Sequence, residues 1–154
     1  MSTFGRYFSP RDLRMQYSIN RELLKDIIQC VILIYKMEVN ATAVNLYGEA
    51  DTKMYLPGVQ LATLIEHPDT TTDNEDFGPD RVKQMIFKFH ENLCKEANLY
   101  PEIGDIVEWD NSYYEINNTV QEQHLGGQTD KSWSILCNAH LSRNSKLNIV
   151  PRQV

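Results

Sequence analysis

Four histidines, a run of acids and one pair of neighbouring carboxylates are the residues of this chain with the means to do chemistry. Their spacing gives none of them a partner. His67, His90, His124 and His140 stand far apart, whereas a zinc site draws three or four ligands from short recurring intervals, so no metal is expected. Asp69, Asp73, Glu75, Asp76 and Asp80 invite a calcium reading. They miss the central glycine and the terminal glutamate of the helix-loop-helix calcium motif, and a solvated loop is the expectation. Asp105 and Glu108 are the nearest approach to paired acid-base carboxylates, but a spacing of three puts them on opposite faces of a strand. No G-x-S-x-G elbow, phosphate-binding glycine loop or H-E-x-x-H occurs. The expectation is a protein without catalytic activity and without a cofactor.

A chain of 154 residues fits one ordinary domain that needs neither disulfide nor metal to hold it. Cys30, Cys94 and Cys137 are widely spaced among apolar residues and read as reduced core thiols. The first residues, MSTFGRYFSPRDLR, lack the apolar centre of a secretory signal, and the longest apolar run, Val31 to Tyr35, is far too short to span a bilayer. Synthesis in a cytoplasm and no membrane contact are expected. The net charge of -6 is unevenly spread: residues 1–25 sum to +3, residues 131–154 to +4 and the stretch between to -13. Basic ends on an acidic body suit docking to a complementary surface. The acidic body speaks against a nucleic-acid module, whose affinity comes from neutralising phosphates.

The elements that position these residues are mostly strands. Met1 to Tyr17 is aromatic and basic without a clear period, which predicts an extended arm ordered by partners. Ser18 is a candidate helix cap, followed by Leu23, Leu24, Ile27, Ile28 and Val31 at helical spacing. Val31 to Val39 continues that helix or begins a strand. Ala43 to Tyr47, Lys53 to Leu56 and Val59 to Ile65 read as strands separated by Gly48-Glu49-Ala50-Asp51 and Pro57-Gly58. Residues 67–80 are polar enough to predict a long surface loop. The alternation of Ile86-Phe87-Lys88-Phe89-His90 favours a strand over a helix within Arg81 to Leu93.

The densest signal is Pro101 to Leu141. Asp105 to Trp109 and Tyr113 to Val120 are rich in aromatic and β-branched residues, and Asp110-Asn111-Ser112 between them is turn chemistry, which together predict a β-hairpin. Val107 with Trp109, and Tyr114 with Ile116, should each share a face and enter the core. A polar loop, QEQHLGGQTD, precedes a returning strand, and Trp133 is expected to anchor that loop by packing. The fold expected is mainly β (α+β): a small antiparallel β-barrel or sandwich with one or two short helices and extended terminal arms. Residues 1–17 are the N-terminal arm, 18–145 the single domain and 146–154 the C-terminal tail.

Pro-Glu-Ile-Gly-Asp-Ile-Val at 101–107, with Tyr113-Tyr114-Glu115-Ile116-Asn117 after it, resembles the P-x-x-G-D-hydrophobic and (F/Y)-E-I-N strands of neck proteins from contractile-tailed bacteriophages. Asn45-Leu46-Tyr47-Gly48-Glu49 resembles a further motif of that family, in the same order. The resemblance implies a virion structural protein that closes the DNA-filled head and joins it to the tail. It would form a hexameric ring of identical subunits around the DNA channel, with a portal or adaptor protein on the head side and a tail terminator or tail tube on the tail side. DNA would pass without sequence-specific binding, and assembly would take place in the host cytoplasm. A tail-terminating or tail-completion protein is the alternative of similar size and symmetry; a small cytoplasmic enzyme or a nucleic-acid module is the alternative of another class.

In such a ring, edge strands of one barrel would pair with or pack against the next, and basic arms would meet acidic bodies, a heterologous contact that closes by rotation. Candidate interface residues are Arg6, Arg11 and Arg14 in the arm, Arg143 and Lys146 near the C-terminus, and His124, Leu125, Gly126, Gly127 and Gln128 in the loop. The glycine pair there lets a second chain approach closely.

Overall fold

Strands 84–90 and 132–141 bury every second residue, Met85, Phe87 and Phe89 in the first and Ile135, Cys137 and Ala139 in the second. In the computed structural model of the chain, which describes residues 9–38, 43–44, 50–67, 72–75, 78–81, 83–124, 132–142 and 147–149, these strands are two staves of a closed barrel. In chain order the elements are α1 (Pro10–Glu22), a π turn (Leu23–Ile28), β1 (Val31–Tyr35), β2 (Ala43–Val44), β3 (Ala50–Met54), β4 (Val59–Glu66), β5 (Thr72–Glu75), β6 (Gly78–Arg81), β7 (Gln84–His90), α2 (Glu91–Glu96), β8 (Ile106–Trp109), β9 (Ser112–His124), β10 (Ser132–Leu141) and β11 (Leu147–Asn148). The barrel order is β1-β4-β7-β10-β9-β8, closed by β1 on β8, with every pairing antiparallel. The expected small antiparallel β-barrel with short helices is what the chain forms, a barrel and not a sandwich.

Inside the barrel lie Ile32 and Ile34, Leu61, Met85, Phe87 and Phe89, Val107, Tyr114 and Ile116, Ile135, Cys137 and Ala139. Leu24, Leu93, Cys94 and Leu99 join the same cluster from the helical segments. The three cysteines are free, Cys94 and Cys137 buried and Cys30 half-buried, and burial pushes the thiols of Cys94 and Cys137 up to about 12. They are inert packing groups at neutral pH. A smaller cluster of Tyr35, Tyr55 and Ile106 lies to one side, where β3 also binds the barrel through an ion pair from Lys53 to Glu115.

The β8–β9 hairpin forms as expected, but its turn is only Asp110-Asn111. Trp109 pairs with Ser112, and φ is 49° at Asp110 and 55° at Asn111. Two consecutive left-handed residues give the turn a twist that suits a two-residue hairpin, and Asp and Asn tolerate it better than most. Val107, Tyr114 and Ile116 are buried, and Trp109 packs half-buried on the core. Before the hairpin, Gly104 has φ +93° and donates its N–H to Ile116 O at 2.9 Å, a backbone shape that L side chains resist.

Several expectations are corrected. Residues 10–17 are not an extended arm: α1 begins at Pro10, because Ser9 and Asp12 form a reciprocal capping box and proline at the first turn lacks only an N–H the helix has no use for. Ser18 is therefore not a cap; it lies inside the helix, its hydroxyl donating to Met15 O at 2.8 Å. Part of the 67–80 loop is a hairpin, β5 on β6. Ala50 and Asp51, taken for turn residues, belong to β3. The acidic helix α2 after β7 has no counterpart in the expectations. Tyr47 to Glu49 and the rest of the 45–49 motif lie outside the described residues.

Candidate functional site

The helix leading into the barrel is apolar on two sides. One side packs inward through Leu13 and Leu24, with Tyr17 set edge-on to His90 at 5.4 Å and to Trp133 at 6.2 Å. The other side faces out: Met15 is 62% exposed, Ile19 52%, Leu23 40% and Ile27 72%. Arg11 heads the same row, four residues before Met15. Steps of four on an α-helix overshoot a full turn by about 40°, so a row of this length would wind off the face. The wider π turn from Leu23 to Ile28 counters that drift and brings Ile27 back toward the line. The turn stops at Gln29, which takes φ 53° and donates its N–H to Leu24 O. Val31, at the start of β1, extends the exposed apolar surface.

Arg21 and Lys25 both reach Glu96 on α2, at 3.1 and 3.6 Å, which clamps the helix to the barrel. Arg11 and Arg14 are exposed and pair with no acid among the described residues; Arg14 Nε donates to Pro10 O at 3.3 Å.

Between this helix and strands β4, β7 and β10 lies a cavity of about 170 Å³, lined by Leu23, Leu24, Leu64, Phe89, His90 and Trp133 among others. His90 is buried, and neither ring nitrogen has a hydrogen-bond partner among the described residues. Burial lowers its pKa from 6.5, against the opposing pull of Glu91 and Glu96. Glu91 is committed elsewhere: it takes hydrogen bonds from Lys95, Ser132 and Tyr100. Burial would raise its pKa, but those bonds hold it below the usual value. The Glu91 carboxylate thereby fastens α2 to β10 through Ser132.

A neutral buried imidazole has a consequence for pH. The folded-state pKa of His90 lies below its unfolded value, so its contribution to stability is complete above about pH 6.5 and is lost as pH falls toward the folded-state value. Thermal melts from pH 7.5 to 5 should show a falling Tm, and His90→Phe should flatten that fall. The variant should also gain about 1 kcal/mol at pH 7 by removing two unpartnered polar atoms. An unchanged pH slope in His90→Phe counts against His90 as its source.

Asp105 is a structural residue. Its Oδ1 accepts from Met37 N at 3.0 Å, and its Oδ2 accepts from Glu102 N at 2.8 Å and from Lys36 Nζ at 3.4 Å. Glu108, on the other face, accepts from the Tyr35 hydroxyl at 2.5 Å. The two carboxylates stay apart, as the spacing of three requires. Around Lys36 the surface carries Leu56, Tyr100 and Ile103: Leu56 N donates to Lys36 O, and Lys36 Nζ donates to Tyr100 O and pairs with Glu102 at 2.7 Å.

Of the interface residues named from sequence, the structure places Arg11 and Arg14 on the outer part of α1. His124 ends β9, with its side chain outside the described residues, and Arg6, Leu125, Gly126, Gly127, Gln128, Arg143 and Lys146 lie outside them altogether. Trp133, expected to anchor the loop, packs on Tyr17 of α1. The outward row of Met15 and Ile19 went unread, although its signal is present: Met15, Ile19, Leu23 and Ile27 recur every four residues, offset from the buried Leu13, Tyr17 and Leu24. The expected barrel edge strands are corrected too, since the six barrel strands close on one another and leave the barrel itself no edge. No helix among the described residues is long and apolar enough to cross a membrane, and among them no three His, Cys, Asp or Glu side chains gather as a metal site would need.

Comparison with known protein families and with curated proteins finds no match to this chain.

Proposed function

We propose that the chain is a structural subunit of a tailed-phage neck, one copy of a ring that closes the DNA-filled head and joins it to the tail. The observation that supports this most is the outward apolar row of α1 and the π turn. Monomeric proteins rarely leave so continuous an apolar surface uncovered, and here it is held out by a rigid barrel. Ile106 and Val107, and Tyr113 to Asn117, which carry part of the neck-protein resemblance, lie in the β8–β9 hairpin of that barrel, which is consistent with the reading. Six copies, a portal or adaptor on one side and a tail terminator or tail tube on the other rest on the resemblance. The acidic middle of the chain, with its net charge of -13, repels phosphate and lets DNA pass without a grip.

The test is assembly with the gene disrupted. Lysates should then contain separate heads and finished tails, and purified chain added back should join them. Infectious tailed particles formed without the chain overturn the proposal. Recovery of the chain on headless tails, and not on tailless heads, moves it to the tail-terminator position.

A further inference from the structure

β7 ends in two neighbouring rings that point opposite ways. Phe89 belongs to the barrel core, and side chains alternate along a strand, so His90 stands on the outer face, where the Tyr17 ring of α1 meets it edge-on. The ladders place Ser134 opposite His90 and Leu64 opposite Lys88. These four residues floor the cavity of about 170 Å³ beneath the helix, and Leu23 and Leu24 of the π turn cover it. Its polar groups are mostly engaged. Lys88 Nζ is held by Glu66 at 2.9 Å and Glu122 at 3.6 Å, and Ser134 Oγ donates to Glu122 at 3.1 Å. His90 differs. It is 5% exposed, and of the buried polar atoms without a partner among the described residues, only its Nδ1 and Nε2 belong to a residue lining this space. Atoms left unmet in that way cost free energy that a hydrogen-bonding guest recovers. A lone water answers poorly, because it needs several polar partners.

We propose that this cavity is a binding site for a small neutral molecule carrying one ring and one hydroxyl, a phenol in its simplest form. The volume suits a single ring, since an apolar protein cavity of about 150 Å³ takes up benzene. The ring lies against Leu24, Leu64 and Trp133, and the hydroxyl bonds to a ring nitrogen of His90. Charge is not wanted in the guest. Among the described residues the lining holds no acid to meet a cation, and its one ammonium is already spent on two carboxylates. The site is independent of the neck reading and stands if that reading falls.

The test sets p-cresol against toluene, which differ by the hydroxyl alone, on the full-length chain at pH 7.5 by calorimetry and by the ring nitrogen signals of His90. Toluene leaves water more readily, so tighter binding of p-cresol must come from a polar contact. The expected result is saturable binding of p-cresol at least about tenfold tighter than toluene, with the His90 signals shifted by p-cresol and not by toluene. In His90→Phe the preference should vanish or reverse. Leu64→Trp, at an exposed position that tolerates a larger side chain, should fill the space and abolish binding of both with little change in Tm. Absence of saturable p-cresol binding, equal affinity for the two probes in wild type, or an unshifted His90 signal at saturation overturns the proposal, whether or not either variant folds. A hydroxyl preference that survives in His90→Phe, or binding that survives in Leu64→Trp, overturns it as well.

Discussion

Tyr114→Ala should remove about 4 kcal/mol of stability, the loss expected when a fully buried aromatic ring is cut back inside a core that cannot collapse onto the space. Tyr114 is 0% exposed. Its ring is 5.8 Å from Phe87 in an edge contact and 6.5 Å from Trp109, and Lys83 Nζ stands 5.8 Å from its centroid. The ring therefore joins β9, β7 and β8 across the barrel. The hydroxyl contributes nothing comparable. It is buried with no hydrogen-bond partner among the described residues, so Tyr114→Phe should leave stability unchanged or raise it by about 1 kcal/mol. Urea denaturation of the two variants separates ring from hydroxyl. A loss above about 1.5 kcal/mol in Tyr114→Phe means that the hydroxyl has a partner.

Asp105→Ala should cost about 3 kcal/mol. The carboxylate accepts from the amides of Met37 and Glu102 and from Lys36, and removing it orphans two backbone donors at roughly 1 to 3 kcal/mol for each that is out of reach of water. Asp105→Asn should be nearly as damaging, since one end of the amide would present hydrogens to groups that are themselves donors. Burial pushes the Asp105 pKa up, and the Met37 and Glu102 amides and Lys36 only partly offset it. A raised folded-state pKa means that the folded chain holds this proton more tightly than the unfolded one. Asp105 therefore subtracts stability as pH climbs above the ordinary carboxylate value of 3.8, the opposite sign from His90. Acid melts of wild type and Asp105→Asn, compared between pH 3.5 and 6, would falsify this if wild type alone gained stability through that window.

How far the fold can be read from the residues depends on how local its causes are. The β8–β9 hairpin was legible because both strands and the turn that joins them lie within twenty residues and each says the same thing. The start of α1 was legible in principle: Ser9, Pro10 and Asp12 spell a capping box with proline at the first turn, but the residues around them show no clear apolar period. The polar β5–β6 hairpin carries no apolar alternation, so nothing in its composition separates it from a loop. Barrel closure depends on β1 meeting β8, more than seventy residues away, and no window along the chain contains that information.

Val120 shows the limit most clearly. Counting by twos from Tyr114 and Ile116 puts it inside, yet it is 48% exposed. The ladder with β10 slips between Asn138 and Ala139, so that Asn118 opposes Asn138, Ile116 opposes Ala139 and Asn117 has no opposite residue. One extra residue in a strand exchanges its faces from that point on. Among the site residues, Arg11 and Arg14 could be named because charge is visible in composition. The apolar row beside them could not be told from core, because a residue's type does not say which side of a helix the rest of the protein will cover.

The unbroken circuit of β1-β4-β7-β10-β9-β8 also decides how the body yields under load. An open sheet peels from its outermost strand, one bond after another, like a zip. Here there is no outermost strand: pulling any stave outward must sever the ladders on both of its flanks together, and a tug along the staves is resisted in shear by many bonds at once. Force delivered to either rim is therefore shared around the whole circumference, and the body should stay stiff until it fails abruptly.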